Sequence, residues 1–408
     1  MSRRILVLLF AAQVAACASV GEPPPPLANN TDRCKDLEKR TATDERARDR
    51  LTAALLACRL DPAIDAAEAA RILGTNTAAL DVRGDSAVFL ARAAAAEVKI
   101  TGTLTAPMER IAKSDLWIAR FRFRFIDYAL LKFLPMADGK LLPGTKPIDW
   151  RGPKAPARPA EKRELSGVIV KRTLWSEALQ ETRKINVYLP PSYRADGEYP
   201  ALYMGDGEFL EGWARYIEPM IDSGAIPSIV IVGAQSGQPG IVEDRSSLGV
   251  ELRAADYLPG FKNAGDRFDR HMRFFTRELV PYAEKEFALA RDRTKRTIQG
   301  QSNSAVFARE AALQHGDLFA TALAFSGGWT QPEGFGPQSA PRARFIFGAG
   351  LYEGGFSVST QKTAAILRVQ GFDVLEEYLY AGHDPDGWAF LLVKYLPRAF
   401  PKVALRLQ

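Results

Sequence analysis

Gly300-Gln301-Ser302-Asn303-Ser304 joins a β-favouring run ending at Ile298 to a helical pattern that starts at once. Strand, sharp turn and helix with a serine at the apex exposes a hydroxyl nucleophile above a sheet, provided small residues two places either side let the backbones approach. Gly300 meets that demand, and Ser304 stands where a second glycine is usual. The same pentapeptide also suits a plain serine-capped helix start. A serine hydroxyl is unreactive at its free pKa and needs an imidazole to take its proton. The chain has three histidines, His271, His315 and His383. His271 falls inside a long helical pattern beside Arg270 and Arg273, and His315 closes the helix after Ser302, so both read as surface or capping residues. His383 follows a strand-like run ending at Tyr380 and comes after the serine, which makes it the base by position.

In that chain order the orienting carboxylate lies between serine and histidine. The strand pattern at 344–347 is followed by Gly348-Ala349-Gly350-Leu351-Tyr352-Glu353-Gly354-Gly355, where Glu353 is the only acid. Asp384 and Asp386 are nearer to His383 in sequence, but a neighbour in a turn seldom reaches the far ring nitrogen, and they rank second. For an oxyanion, the N–H of Asn303 is one donor. The other is expected from Met204-Gly205-Asp206-Gly207-Glu208, with the N–H of Asp206 first and Gly207 next. These glycines could equally serve only to turn the chain. Such chemistry needs no metal and no organic cofactor.

The elements that must position these residues begin at Leu165. Strands are expected at 166–175 and 184–189 as an antiparallel pair, then at 200–204, 229–233, 294–298, 318–325, 344–347 and 373–380. Helices are expected at 209–223, 266–287, 357–370 and 386–396. Strands interleaved with helices over this length predict an α/β fold, a mostly parallel sheet covered by helices on both faces. Chemistry on such a sheet collects at the carboxyl ends of its strands.

Ahead of this catalytic domain at 165–408, the chain divides into several parts. Arg3 and Arg4 precede an apolar run at 5–10 and small residues up to Cys17, so residues 1–16 read as an export signal. The signal's end resembles a bacterial lipobox, with Cys17 as the lipidated residue and 17–31, containing Pro23 to Pro26, as a tether. The expected location is the periplasmic side of a bacterial envelope, with the membrane a partner through the lipid anchor. Residues 32–74 are read as a short helical segment, 75–145 as a small β-sandwich domain, and 146–164 as a proline-rich linker. Cys34 and Cys58, an even pair in an exported chain, are expected to form a disulfide worth about 3 kcal/mol on the chain-entropy account. With no histidine in the first 270 residues, a metal site there lacks ligands. Arg120 to Phe125 alternates arginine and phenylalanine at period two, as a half-buried strand does. The 408 residues carry 54 Lys plus Arg against 48 Asp plus Glu, a net +6. That mild, scattered charge suits an anionic ligand or a membrane face, and no nucleic-acid motif accompanies it.

Taken together, Asp206-Gly207-Glu208-Phe209, Arg253-Ala254-Ala255-Asp256-Tyr257, Gly300-Gln301-Ser302, His315-Gly316-Asp317-Leu318-Phe319, Ser326-Gly327, Gly350 with Glu353, and Gly382-His383-Asp384 with Trp388 resemble the ferric enterobactin (enterochelin) esterase branch of the esterase D group of α/β-hydrolases. The resemblance covers 165–400 well and 85–130 faintly. It implies an α/β-hydrolase fold and serine hydrolysis of small-molecule esters, including the trilactone of iron-loaded catecholate siderophores. Ser302, Glu353 and His383 match the nucleophile, acid and base. Arg253 matches a recurring arginine that would suit an anionic ferric siderophore; Arg245 is a second candidate, and either could be a structural ion-pair partner. Trp388 is carried over as a substrate-binding residue. By the same analogy the anchor points to the outer membrane. Asn303-Ser304 departs from the bulky residue and glycine common in the family. The alternatives are a feruloyl or acetyl esterase acting on polysaccharide, and a siderophore-binding protein that kept the fold without turnover.

Overall fold

The computed structural model describes residues 33–43, 54–62, 64–237, 252–328 and 340–401. The export signal, Cys17 and the tether, together with Arg245, lie outside the described residues. The chain forms two compact units, described in turn.

The first unit comprises the chain up to Pro156 together with 349–365 and 378–387. It opens with α1 (Arg33–Thr43), β1 (Ala57–Leu60) and α2 (Ala66–Leu73). The strands β2 (Ala78–Arg83), β3 (Ser86–Arg92), β4 (Val98–Gly102), β5 (Ala106–Pro107), β6 (Glu109–Arg110), β7 (Leu116–Phe123), β8 (Leu130–Ala137), β9 (Lys140–Leu141) and β10 (Ile148–Arg151) follow. Two antiparallel five-stranded sheets result, one in the order β1-β7-β3-β2 with β6 on β7, the other β10-β8-β4-β5 with β9 on β8. Strand pairing therefore reaches beyond 75–145 at both ends. Residues 57–60 are not helical: β1 pairs with β7 in the register Cys58↔Arg122. A disulfide joins Cys34 to Cys58 across a Cα–Cα distance of 5.7 Å, tying α1 to this edge strand.

β7 shows why its sequence looks mixed. Its second half alternates, with Phe121 and Phe123 buried and Arg120 and Arg122 partly exposed, because one face there meets the core. Its first half is buried on both faces, since Leu116 and Ile118 pack under Ala69 and Leu73 of α2. The strand stops at Phe123, and Phe125 takes a left-handed conformation at φ 61°. Phe89, Phe121, Phe123 and Phe133 form the aromatic centre of the core.

The second unit comprises 157–348, 366–377 and the chain from Trp388. Its sheet is built from β11 (Val168–Ser176), β12 (Glu181–Leu189), β13 (Ala201–Met204), β14 (Val230–Ala234), β15 (Arg296–Gln301), β16 (Thr321–Phe325), β17 (Arg344–Gly350) and β18 (Val374–Leu379). The order is β11-β12-β14-β13-β15-β16-β17-β18. The β11, β12 and β14 pairings are antiparallel, and β14 through β17 run parallel. Every residue of β13 to β16 is buried, so both faces of the sheet centre are covered. This is the α/β-hydrolase arrangement.

Helices α3 (Leu210–Asp222), α4 (Leu252–Tyr257), α5 (Arg267–Arg273), α6 (Val280–Glu286), α7 (Asn303–Gln314), α8 (Gly355–Val369) and α9 (Pro385–Ala399) link the strands. The single helix expected at 266–287 is interrupted by a π-helical turn at Phe274–Leu279. Pro281 lacks an amide hydrogen, so the regular ladder cannot continue into this stretch and the turn widens. His271 is not a surface residue: it is 1 % exposed, with its ring 4.7 Å from that of Phe307. Burial pushes its pKa down to about 3, so it is neutral at pH 7.

Candidate active site

Ser302 sits where β15 turns into α7, at φ 56° and ψ −126°. A non-glycine residue in that region is strained and persists only where its surroundings fix it. Three contacts do so. The Ser302 amide donates to Phe325 O at 2.9 Å. A Cβ on Gly300 would run into the backbone carbonyl of Ser304, which is why glycine is required there. Ser304 itself is fully buried, and its hydroxyl accepts from the Gln301 amide at 2.9 Å and donates to Gln301 O at 2.8 Å. The serine that replaces the usual glycine therefore braces the turn. Asn303 is the first residue of α7, so its amide is among those with no acceptor within the helix.

The loop after β13 is held tightly, and it corrects one expectation. The Asp206 amide donates to the Tyr257 hydroxyl at 2.7 Å, both buried, so this N–H is already engaged and does not face an oxyanion. Burial raises the Tyr257 pKa far above the ordinary phenol value, keeping the hydroxyl protonated. Asp206 is also the residue with positive φ, at 52°. Gly207 is required for another reason: a Cβ there would strike the backbone of Gly233 on β14. Asn186 Nδ2 donates to Gly207 O at 2.8 Å, and the Glu208 carboxylate accepts from the Ser236 hydroxyl at 2.7 Å.

Arg253 makes a two-pronged ion pair with Asp206, Nε to Oδ1 at 2.7 Å and Nη2 to Oδ2 at 2.8 Å. Its guanidinium is thus committed to the loop. Trp388 Nε1 donates to Ser326 Oγ at 2.8 Å, and Ser326 is itself left-handed at φ 57°.

In the first unit, Glu353 and His383 meet. His383 Nδ1 lies 2.6 Å from Glu353 Oε2. Glu353 has no side-chain exposure, and His383 retains 29 %. The Gly350 amide donates to the other carboxylate oxygen, Oε1. The ring of Phe356 lies 4.2 Å from the imidazole at 32°, fixing its tilt. With Nδ1 bonded to a carboxylate, Nε2 is the nitrogen left to exchange a proton with a hydroxyl.

Asp384 does not orient His383. It is buried, and its Oδ1 accepts from the Asp386 amide at 3.1 Å and the Gly387 amide at 3.4 Å, at the start of α9. Burial pushes its carboxyl up to about 6, against the pull of Lys132. No cluster of metal-ligating side chains occurs among the described residues. The sequence assigns no role to Tyr257, although it closes the Arg253–Tyr257 motif, and does not single out Phe356. Tyr257 acts across 51 residues, and neither contact leaves a local pattern.

Residues 176–344 match the family described as putative esterase. Two proteins of Bacillus subtilis (strain 168) are similar: YbbA, 25% identical over 156 residues, covering 38% of this chain and 60% of its own, and YjcH, 26% identical over 157 residues, covering 38% and 59%. Both are described as uncharacterized, and the chain spans about three fifths of their length. Among solved structures, the enterobactin esterase FES of Shigella flexneri in the presence of enterobactin has a TM-score of 0.59 at 17% identity, with 80% of this chain and 97% of that one covered. The ferric enterobactin esterase of Salmonella typhimurium gives a TM-score of 0.59 at 16% identity, with 80% and 98% covered. Residues 176–344 are thus similar to an esterase family, and the chain has the α/β-hydrolase fold of the enterobactin esterases.

Proposed function

We propose that this protein is a serine hydrolase of carboxylic esters. Ser302 attacks the ester carbonyl while His383 Nε2 takes its proton, and that proton passes to the departing alcohol as the acyl-enzyme forms. Water then attacks the acyl carbon, giving its proton to His383 and releasing the acid and Ser302. Glu353 holds the ring by Nδ1 and stabilises the imidazolium. The Asn303 N–H binds the oxyanion; with the Asp206 amide engaged, the Gly207 N–H is the second donor. The observation that carries this reading is the hydrogen bond between buried Glu353 and His383, in loops that follow β17 and β18, in a chain whose strained β15 turn presents Ser302.

For substrate we propose the trilactone of ferric catecholate siderophores. The support is the fold shared with proteins described as acting on enterobactin and a net charge of +6, or +4 once Arg3 and Arg4 leave with the signal, which favours an anionic ligand. We place the protein on the periplasmic face of the outer membrane, anchored through Cys17. Fractionation of cells expressing Cys17→Ala tests this: release into the soluble periplasm is expected, and an unchanged membrane fraction contradicts the anchor.

The activity is tested with the chain lacking residues 1–16, assayed on p-nitrophenyl butyrate, ferric enterobactin and a feruloylated sugar beside Ser302→Ala. Ferric enterobactin cleavage abolished in Ser302→Ala is expected. Cleavage of the feruloylated sugar alone moves the substrate to polysaccharide esters, and ligand binding without turnover of any ester makes the chain a binding protein.

A further inference from the structure

The segments 349–365 and 378–387, which bear Glu353 and His383, belong to the same compact unit as the N-terminal β-sheets. The contacts within that unit are specific. Tyr352, next to Glu353, is 5 % exposed and forms part of the core between the two sheets. Its ring meets Phe123 edge-on at 4.9 Å, and its hydroxyl donates to Arg124 O at 2.8 Å. Its amide donates to Ala381 O at 3.0 Å, which couples the glutamate loop to the histidine loop.

The histidine loop is gripped on both sides of His383. The Leu130 amide donates to Tyr380 O at 2.8 Å, and Leu130 bridges Ala381 in parallel fashion. Gly382 lies so close to Thr103 that a Cβ would strike its backbone. Thr103 is buried and fixed on β8, accepting from the Lys132 amide at 2.6 Å through its hydroxyl and donating its own amide to Lys132 O at 3.0 Å. Beyond the histidine, Lys132 Nζ reaches Asp386 Oδ2 at 3.1 Å, with Asp149 at 3.8 Å, and it also acts electrostatically on buried Asp384.

We propose that the N-terminal β-domain sets the position of the acid–base pair, with Tyr352 and Lys132 as positioning residues on either side of it; this rests on the roles given to Glu353 and His383 above. A proton-transfer group must be held within about 0.5 Å of its productive place by neighbours whose own rotamers are locked. Two loops that each end a strand do not achieve that alone. A tyrosine plugged into a core and a lysine tied to the first turn of α9 do. The β-domain is then part of the catalytic apparatus, acting through the loops that carry Glu353 and His383.

The test uses Tyr352→Phe, Lys132→Met and Lys132→Arg in the chain lacking residues 1–16, assayed on p-nitrophenyl butyrate, with His383→Ala as the reference. Tyr352→Phe and Lys132→Met are expected to lower kcat by about 10- to 100-fold with KM within about twofold, and Lys132→Arg to restore most of it. Because the chain has three histidines, 15N-histidine labelling with His383→Ala identifies the His383 Nδ1–H resonance. That resonance is expected to shift or broaden in both lowered variants. Wild-type kcat with an unmoved resonance in Tyr352→Phe, which removes a single oxygen, overturns the proposal even if Lys132→Met fails to fold. Full turnover in His383→Ala instead overturns the assignment of the base.

Discussion

His383 Nδ1 stands 2.6 Å from Glu353 Oε2, across 30 residues of sequence and one helix. The carboxylate has no exposure to water, and the imidazole is held directly against it. In the proposed mechanism this carboxylate holds the ring that takes the proton of Ser302.

Glu353→Gln keeps the size of the side chain and removes its charge. Loss of the imidazolium's stabilisation and of its tautomer control is expected to lower kcat by about 10²- to 10⁴-fold with little change in KM. Steady-state kinetics on p-nitrophenyl butyrate check this. A variant within about threefold of wild type contradicts the role of Glu353.

Gly300→Ala places a methyl group against the Ser304 carbonyl at the point where strand and helix backbones cross. Neither backbone is the movable end of a side chain. A loss of more than about 3 kcal/mol, read by urea unfolding, is expected. Ser304→Gly, by contrast, removes the brace on Gln301 at a cost of about 1–2 kcal/mol while leaving the turn able to form.

Asp384 titrates near pH 6 because it is buried, with Lys132 pulling the other way. Its folded pKa lies above its unfolded value, so the stability it contributes is complete below about pH 4 and is lost as pH rises to about 6. Asp384→Asn retains the caps on the Asp386 and Gly387 amides without the charge. The variant is expected to match wild type at pH 4 and to exceed it by about 1–3 kcal/mol at pH 7.5. Thermal melts at both pH values check the sign; a lower melting temperature at pH 7.5 contradicts it.

Much of the candidate site can be proposed from the sequence because its residues are local or scarce. The Ser302 turn is a contiguous motif, and only three histidines compete for the role of base. Glu353 is the only acid in the loop after β17, which narrows the choice of partner for His383. What the sequence hides is long-range. Capture of the Asp206 amide by Tyr257 spans 51 residues, and the tie from Arg124 to Tyr352 spans 228. The strand at 57–60 reads as helix because its four residues are too few to show a period, and its pairing with β7 outweighs propensity. Gly382, unexplained by a turn, is the one local trace of the close approach to Thr103.

The central claim is that Ser302 is a nucleophile activated by His383. A p-nitrophenyl alkylphosphonate tests it directly, since displacement of p-nitrophenolate by an activated serine leaves a stable phosphonyl-enzyme. Peptide mass spectrometry is expected to find a single phosphonyl group on the peptide containing Ser302, formed at least about 100-fold more slowly in His383→Ala. An adduct on another residue, or labelling of Ser302 at an undiminished rate in His383→Ala, contradicts the account.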